Sequence, residues 1–135
     1  MAKLSAEIEN QLWAAAEEAA CIAYAPYSKF HVGAALLTKN REIVSGCNVE
    51  NASYGLTNCA ERTAVFRAIA EGKLSPEIGI EAIAVVNREG RSCAPCGACR
   101  QVLSEFGADA VVVYEYDGVR KRTTVSELLP ESFRL

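Results

Sequence analysis

Two short segments hold the residue types from which a hydrolytic metal centre is built: Cys59-Ala60-Glu61 and Pro95-Cys96-Gly97-Ala98-Cys99. Thiolates bind zinc well, and Cys96 and Cys99, three apart, share one face of a helix. Cys59 stands at the start of a second helical segment. Backbone N–H groups and the positive end of a helix dipole therefore favour thiolate over thiol at both places. Structural zinc is closed by four protein ligands, whereas catalytic zinc keeps one position for water. Three thiolates beside a carboxylate describe the open kind, with Cys59, Cys96 and Cys99 on one Zn²⁺ per chain. Zinc brings the pKa of a bound water toward ~7. Glu61, two residues beyond Cys59, is placed to move protons between that water, a substrate and a leaving group.

The same residues have plainer readings. A Cys-x-x-Cys pair alone also serves structural zinc or thiol–disulfide exchange. Asn58-x-x-Glu61 fits a capping box, with Glu61 merely closing a helix start. A redox motif, however, follows the first strand of a βαβ unit, and this one comes late in the chain. The two halves together are much more specific than either.

The elements that must position these residues follow from periodicity. Ser5 to Tyr24 carries Ile8, Leu12, Ala15, Ala19 and Ile22 at helical spacing, with Ser5 as N-cap and Glu7 and Glu9 in the first turn. Ala25-Pro26-Tyr27-Ser28 ends that helix. Phe30 to Leu37 reads as a strand buried on both faces, Lys39-Asn40-Arg41 as a hairpin turn, and Glu42 to Cys47 as the returning strand. A polar loop from Asn48 to Thr57 leads to a helix beginning at Asn58 and stopping at Gly72. Ile80 to Val86 is a buried strand. A helix from about Cys96 to Glu105 ends before Gly107. Ala110 to Tyr114 is an apolar strand, Asp117-Gly118 a turn, Lys121 to Thr124 a short last strand, and Val125 to Leu129 a helical turn. The order αββαβαββ predicts a three-layer α/β/α arrangement: one mixed sheet of about five strands with helices on both faces, residues 1–135 forming a single domain.

Composition narrows the function classes. Half of the 135 residues are apolar, enough for a sizeable core, and the net charge of −3 disfavours long DNA or RNA as a ligand. No apolar run reaches the ~18 residues of a membrane span. Met1 to Glu7 leads into an acidic helix rather than the apolar core of a signal peptide, so the expected setting is cytoplasmic. There the six cysteines stay reduced and point to metal or catalysis before disulfides.

Cys59-Ala60-Glu61 together with Pro95-Cys96-Gly97-Ala98-Cys99 resembles the zinc-dependent nucleobase and nucleoside deaminases, whose signature is His/Cys-x-Glu followed by Pro-Cys-x-x-Cys. The all-cysteine form is similar to the small cytidine deaminases. The resemblance extends through Tyr24-Ala25-Pro26-Tyr27-Ser28-Lys29-Phe30, Val32-Gly33-Ala34-Ala35, Asn48-Val49-Glu50-Asn51 and Leu128-Leu129-Pro130. It departs from many zinc deaminases in having cysteine rather than histidine as first ligand; His31 lies in another motif. The resemblance implies hydrolysis of cytidine and deoxycytidine to uridine and deoxyuridine with release of ammonia, in pyrimidine salvage, by zinc-bound hydroxide attacking C4. It implies a homotetramer that shares sites between subunits, takes a nucleoside, and engages neither nucleic acid nor membrane. Deamination of another aminopyrimidine such as blasticidin S, or a zinc-stabilised module without catalysis, are the competing readings.

Further residues take roles on this basis. Arg62 follows Glu61 and can donate to the thiolate sulfurs, moderating the net −1 charge of three thiolates on Zn²⁺; the plain alternative is a surface arginine. Asn48 and Glu50 point the same way in extended geometry, and an amide with a carboxylate suits sugar hydroxyls. The resemblance makes them the ribose-binding pair, although loop polarity alone also accounts for them. Phe30 is a wall for a planar base or plain core, and the Ala60 backbone reads the base edge by resemblance. Phe133 is implied to reach a neighbouring subunit's pocket, and Tyr54 to touch the same boundary. His31 reads as structural or intersubunit, Cys21 and Cys47 as small buried hydrophobes, Cys93 as a non-ligand, and Arg100 as a solvated helix residue.

Overall fold

The computed structural model describes residues 4–135. Helix α1 (Ala6–Cys21) starts at Ser5, whose hydroxyl accepts the Ile8 N–H at 3.2 Å. It stops at Cys21, short of the expected Tyr24. The cause is a long-range pairing: the Tyr24 N–H donates to the Asn48 carbonyl and the Tyr24 carbonyl accepts the Glu50 N–H, so the helical bonds give way to a bridge with Val49. Cys21 is exposed and Cys47 only half-buried, against the expectation that both are buried.

Strand β1 (Val32–Thr38) begins two residues after Phe30, and every one of its residues is buried. It pairs antiparallel with β2 (Ile43–Cys47) on one side and with β3 (Ile80–Asn87) on the other. β3 is parallel to β4 (Val111–Tyr116), which forms a hairpin with β5 (Val119–Thr124). The sheet order is β2-β1-β3-β4-β5. β5 starts at Val119 rather than Lys121 because Asp117 and Gly118 both have positive φ (53° and 75°), the two-residue turn that lets pairing begin at once.

Burial alternates across the sheet. Ala35, Leu37, Ala82, Ala84, Val111 and Val113 pack with Leu12 and Ala16 of α1. Ala34, Leu36, Ile83, Val85 and Val112 face the other way, against Ala64, Val65 and Ala68 of helix α2 (Ala60–Ala70) and Leu103 of helix α3 (Gly97–Gly107). A single turn α4 (Val125–Leu128) closes the same layer. This is the expected α/β/α sandwich. Two glycines set how near the layers come. A Cβ on Gly33 would meet the Ala16 carbonyl at 1.9 Å, and one on Gly46 would meet the Ala64 nitrogen at 2.4 Å. β1 runs antiparallel to both β2 and β3, so those two strands deliver their carboxyl ends to the same edge of the sheet. Beyond that edge, where open α/β sheets hold their ligands, the chain turns into α2 and α3.

Candidate active site

Both helices beyond that edge begin on a cysteine. Cys59 is the N-cap of α2 and Cys96 the N-cap of α3, and neither side chain caps its own helix. The sulfurs turn to one another instead. Cys59 Sγ lies 3.8 Å from Cys96 Sγ, which lies 3.5 Å from Cys99 Sγ, and all three sulfurs fall within 4.8 Å of one another. With Cys59 as its cap, α2 starts at Ala60, two residues later than expected. That removes the capping box, since the Asn58 amide bonds the Thr63 hydroxyl at 3.2 Å.

The neighbouring Cys99 sulfur and the Arg62 guanidinium hold the Cys59 thiol down, to about 5. The same contact, with burial, pushes Cys99 up. Arg62 Nη2 donates to Cys59 Sγ at 3.3 Å, and that thiolate pushes the guanidinium's pKa further up. Arg62 Nε is buried with no hydrogen-bond partner among the described residues, which leaves donor capacity beside the sulfurs. Cys93 lies close by, but burial pushes its thiol up to about 11, and it is outside the sulfur cluster.

Glu61 sits in the first turn of α2 and is only 4% exposed. Burial pushes its carboxyl up to about 7, and the Cys59 thiolate adds to the shift. A carboxyl poised there can both take and return a proton near neutral pH. It borders a cleft of about 340 Å³ whose walls include Phe30, Asn48, Glu50, Cys59, Ala60 and Cys96.

The other expected residues are distributed unevenly. Phe30 walls the cleft, with the Arg91 guanidinium 4.9 Å from its ring centroid. The Asn48 amide is largely occupied by backbone: its oxygen accepts the Val32 N–H at 2.9 Å and its nitrogen donates to the Phe30 carbonyl at 2.8 Å, leaving one N–H. Glu50 accepts from the N–H groups of Tyr27 (2.9 Å) and Ser28 (3.1 Å) and from the Ser28 hydroxyl, which holds its carboxyl below the usual range. Sequence reasoning did not single out Ser28, although it lies in the Tyr-Ala-Pro-Tyr-Ser run; nothing local marks it as the partner of a residue 22 positions on. Tyr54, 79% exposed, lies in a short 3₁₀ turn against Tyr27, at the far side of the Glu50 wall. Phe133, 69% exposed, is not part of the cleft of its own chain; its carbonyl accepts from the Gln101 amide on the outer side of α3. His31 Nδ1 lies 3.0 Å from the Glu89 carboxylate of the same chain. Arg100 corrects the expectation of a solvated residue: its Nε donates to the Pro95 carbonyl at 2.7 Å and its Nη1 to the Leu128 carbonyl at 3.0 Å.

The model of the cytidine and deoxycytidylate deaminase zinc-binding region matches residues 6–115, a span that contains the cysteine cluster and Glu61. The chain belongs to the cytidine and deoxycytidylate deaminase family. A cytidine deaminase of Halalkalibacterium halodurans is 53% identical over 113 residues, covering 82% of this chain and 83% of that protein. The crystal structure of a cytidine deaminase from Burkholderia pseudomallei superposes with a TM-score of 0.83 at 51% identity, over 92% of this chain and 98% of that one. A blasticidin-S deaminase of Bacillus cereus is 36% identical over 110 residues, covering 76% of each chain. For a member of this deaminase family the cofactor is zinc, and the donor set fits it. Three soft sulfurs converge at two helix N-termini, a guanidinium offsets their charge, and Cys59 and Cys96 open onto the cleft.

Proposed function

We propose that this family member hydrolyses cytidine and deoxycytidine to uridine and deoxyuridine with release of ammonia, a pyrimidine-salvage reaction. The observation that carries the reading is the three-sulfur cluster beside a buried carboxyl at the wall of a nucleoside-sized cleft. Cys59, Cys96 and Cys99 hold the zinc. Zinc supplies Lewis-acid activation of water near neutral pH.

The chain's own residues do the rest. Glu61 takes a proton from the attacking water and delivers it to N3 of the pyrimidine as the C4–O bond forms. It then carries the remaining hydroxyl proton to the amino group, and the C4–N bond breaks to give ammonia and the C4 carbonyl. Arg62 hydrogen-bonds the thiolates and lowers their net charge. Phe30 flanks the base, and the Ala60 backbone meets its edge. Glu50, pre-oriented by Tyr27 and Ser28, accepts a hydrogen bond from a ribose hydroxyl, and the free Asn48 N–H donates to the 3′-oxygen. Phe133 and Tyr54 act across a subunit boundary in a homotetramer, where an exposed aromatic finds its burial in a neighbour's cleft. Among the described residues no helix is long and apolar enough to cross a membrane.

Deamination of blasticidin S is the second reading, favoured by the 36%-identical relative that bears that name. Parallel assays of the zinc-loaded protein on cytidine, free cytosine and blasticidin S separate the readings. Cytidine is expected to exceed the other two by orders of magnitude in kcat/KM, because a site built to hydrogen-bond ribose hydroxyls strongly rejects a ligand lacking them. Efficient turnover of cytosine, or a preference for blasticidin S, overturns the nucleoside assignment.

A further inference from the structure

One arginine holds the backbone on both sides of a sulfur donor. The Arg100 N–H donates to the Cys96 carbonyl at 2.9 Å, which is the first turn of α3. The side chain of the same residue folds back past that turn, and its Nε reaches the Pro95 carbonyl at 2.7 Å. The second contact is not part of any helical pattern, and Pro95, without an N–H, cannot be tied from its own nitrogen. The peptide carbonyls before and after the Cys96 Cα are thus both held by Arg100. Its remaining arm is braced on the Leu128 carbonyl at 3.0 Å, so the guanidinium cannot swing away without breaking a contact to α4.

Cys96 needs such a brace. Its own side chain is exposed, it stands at the junction of loop and helix, and it makes no capping bond. Cys99, by contrast, is fully buried within α3, and Arg62 bonds directly to Cys59.

We propose that Arg100 is the positioning residue of the Cys96 ligand: it fixes the Pro95–Cys96 backbone against α4, so that Cys96 is presented to the zinc in a single geometry. The inference rests on Cys59, Cys96 and Cys99 holding zinc. Residues that orient a ligand without touching the metal typically govern 10–100-fold of metal affinity.

The test is the rate at which a chromogenic zinc chelator strips metal from the zinc-loaded protein. Arg100→Met keeps the aliphatic stem and loses both side-chain bonds; release is expected to accelerate at least ~10-fold. Arg100→Lys keeps the charge and stem but reaches only one carbonyl, and an intermediate rate is expected. Arg122→Met is the control: Arg122 is a comparable clamp, bonded to the Leu4 carbonyl and Glu9 in the α1 layer. It is expected to release zinc within about twofold of the parent whatever it costs in thermal stability. Release within twofold of the parent in Arg100→Met overturns the proposal, as does equal acceleration in Arg122→Met. If Arg100→Met does not fold, a parental release rate in Arg100→Lys overturns it. A parent protein that binds no zinc instead overturns the assignment of the three ligands.

Discussion

Replacing Glu61 with Gln tests two consequences of one observation, the burial of an ionisable carboxyl. Gln preserves size, shape and helix position but can neither ionise nor carry a proton. In the zinc-loaded protein turnover is expected to fall by the ~10²–10⁴ that a general acid–base group contributes, equivalent to about 3–5 kcal/mol of transition-state stabilisation. In the metal-free protein the same change is expected to stabilise. Folding raises this carboxyl from 4.5 to about 7, which corresponds to roughly 3 kcal/mol. Below pH 4.5 the folded and unfolded forms both keep the proton and the effect vanishes. Between 4.5 and 7 the unfolded chain ionises while the folded one resists, so the parent loses stability as pH rises. Above 7 the loss levels off. Gln is neutral throughout. Its stability advantage over the parent therefore grows across pH 4.5–7 toward ~3 kcal/mol and then stays constant. The Cys59 thiolate contributes to the Glu61 shift and Glu61 in turn pushes Cys93 and Cys99 up, so the difference reads the carboxyl together with its sulfur neighbours. Urea unfolding of the metal-free, reduced proteins at several pH values reads this directly. An advantage that is flat or shrinks with pH refutes the buried-carboxyl argument, and near-parental turnover removes Glu61 from the chemistry.

Other outcomes follow from the same structure. Elemental analysis is expected to find one zinc per parent chain and a large loss in Cys96→Ala; full occupancy in the variant means that the ligands are misassigned. Gly46→Ala places a methyl group 2.4 Å from the Ala64 nitrogen and 2.9 Å from the Ala60 carbonyl. It should cost at least ~1–3 kcal/mol in denaturation and lower zinc occupancy, because the first turn of α2 has to move; unchanged stability contradicts the close approach of β2 and α2. Deleting Ser132–Leu135 is expected to raise KM while zinc stays bound. Mixing that variant with Glu61→Gln chains should restore activity through hybrid tetramers, and no recovery after proven subunit exchange rules out shared sites.

The sequence was most legible where structure is local. Cys59 and Glu61, and likewise Cys96 and Cys99, lie within one helical turn of each other, so their types and spacing carry the geometry. The apolar runs of β1, β3 and β4 read as buried strands, and their residues divide between two cores; the Asp117-Gly118 turn is a local signal whose positive φ values explain why β5 is longer than its composition indicates. What escaped is long-range. Tyr24 leaves its helix to pair with Asn48 and Glu50, and Glu50 is fixed by Ser28, 22 residues earlier. Arg100 reads as solvated because its partner at Leu128 is 28 residues away. Cys21, read as a small buried hydrophobe from its residue type, is exposed, while its neighbours Ala19 and Ala20 in the same last turn of α1 are buried, Ala20 close against Gly33 of β1. The Asn48 amide, expected to face a sugar, is mostly spent on the backbone of Phe30 and Val32.

The most direct measurement follows cytidine conversion and ammonia release together in the purified protein, before zinc removal, after it and on adding zinc back. One ammonia per uridine is expected, with activity lost on chelation and recovered in proportion to zinc up to one per chain. A fully zinc-loaded, folded protein that releases no ammonia from cytidine contradicts the account.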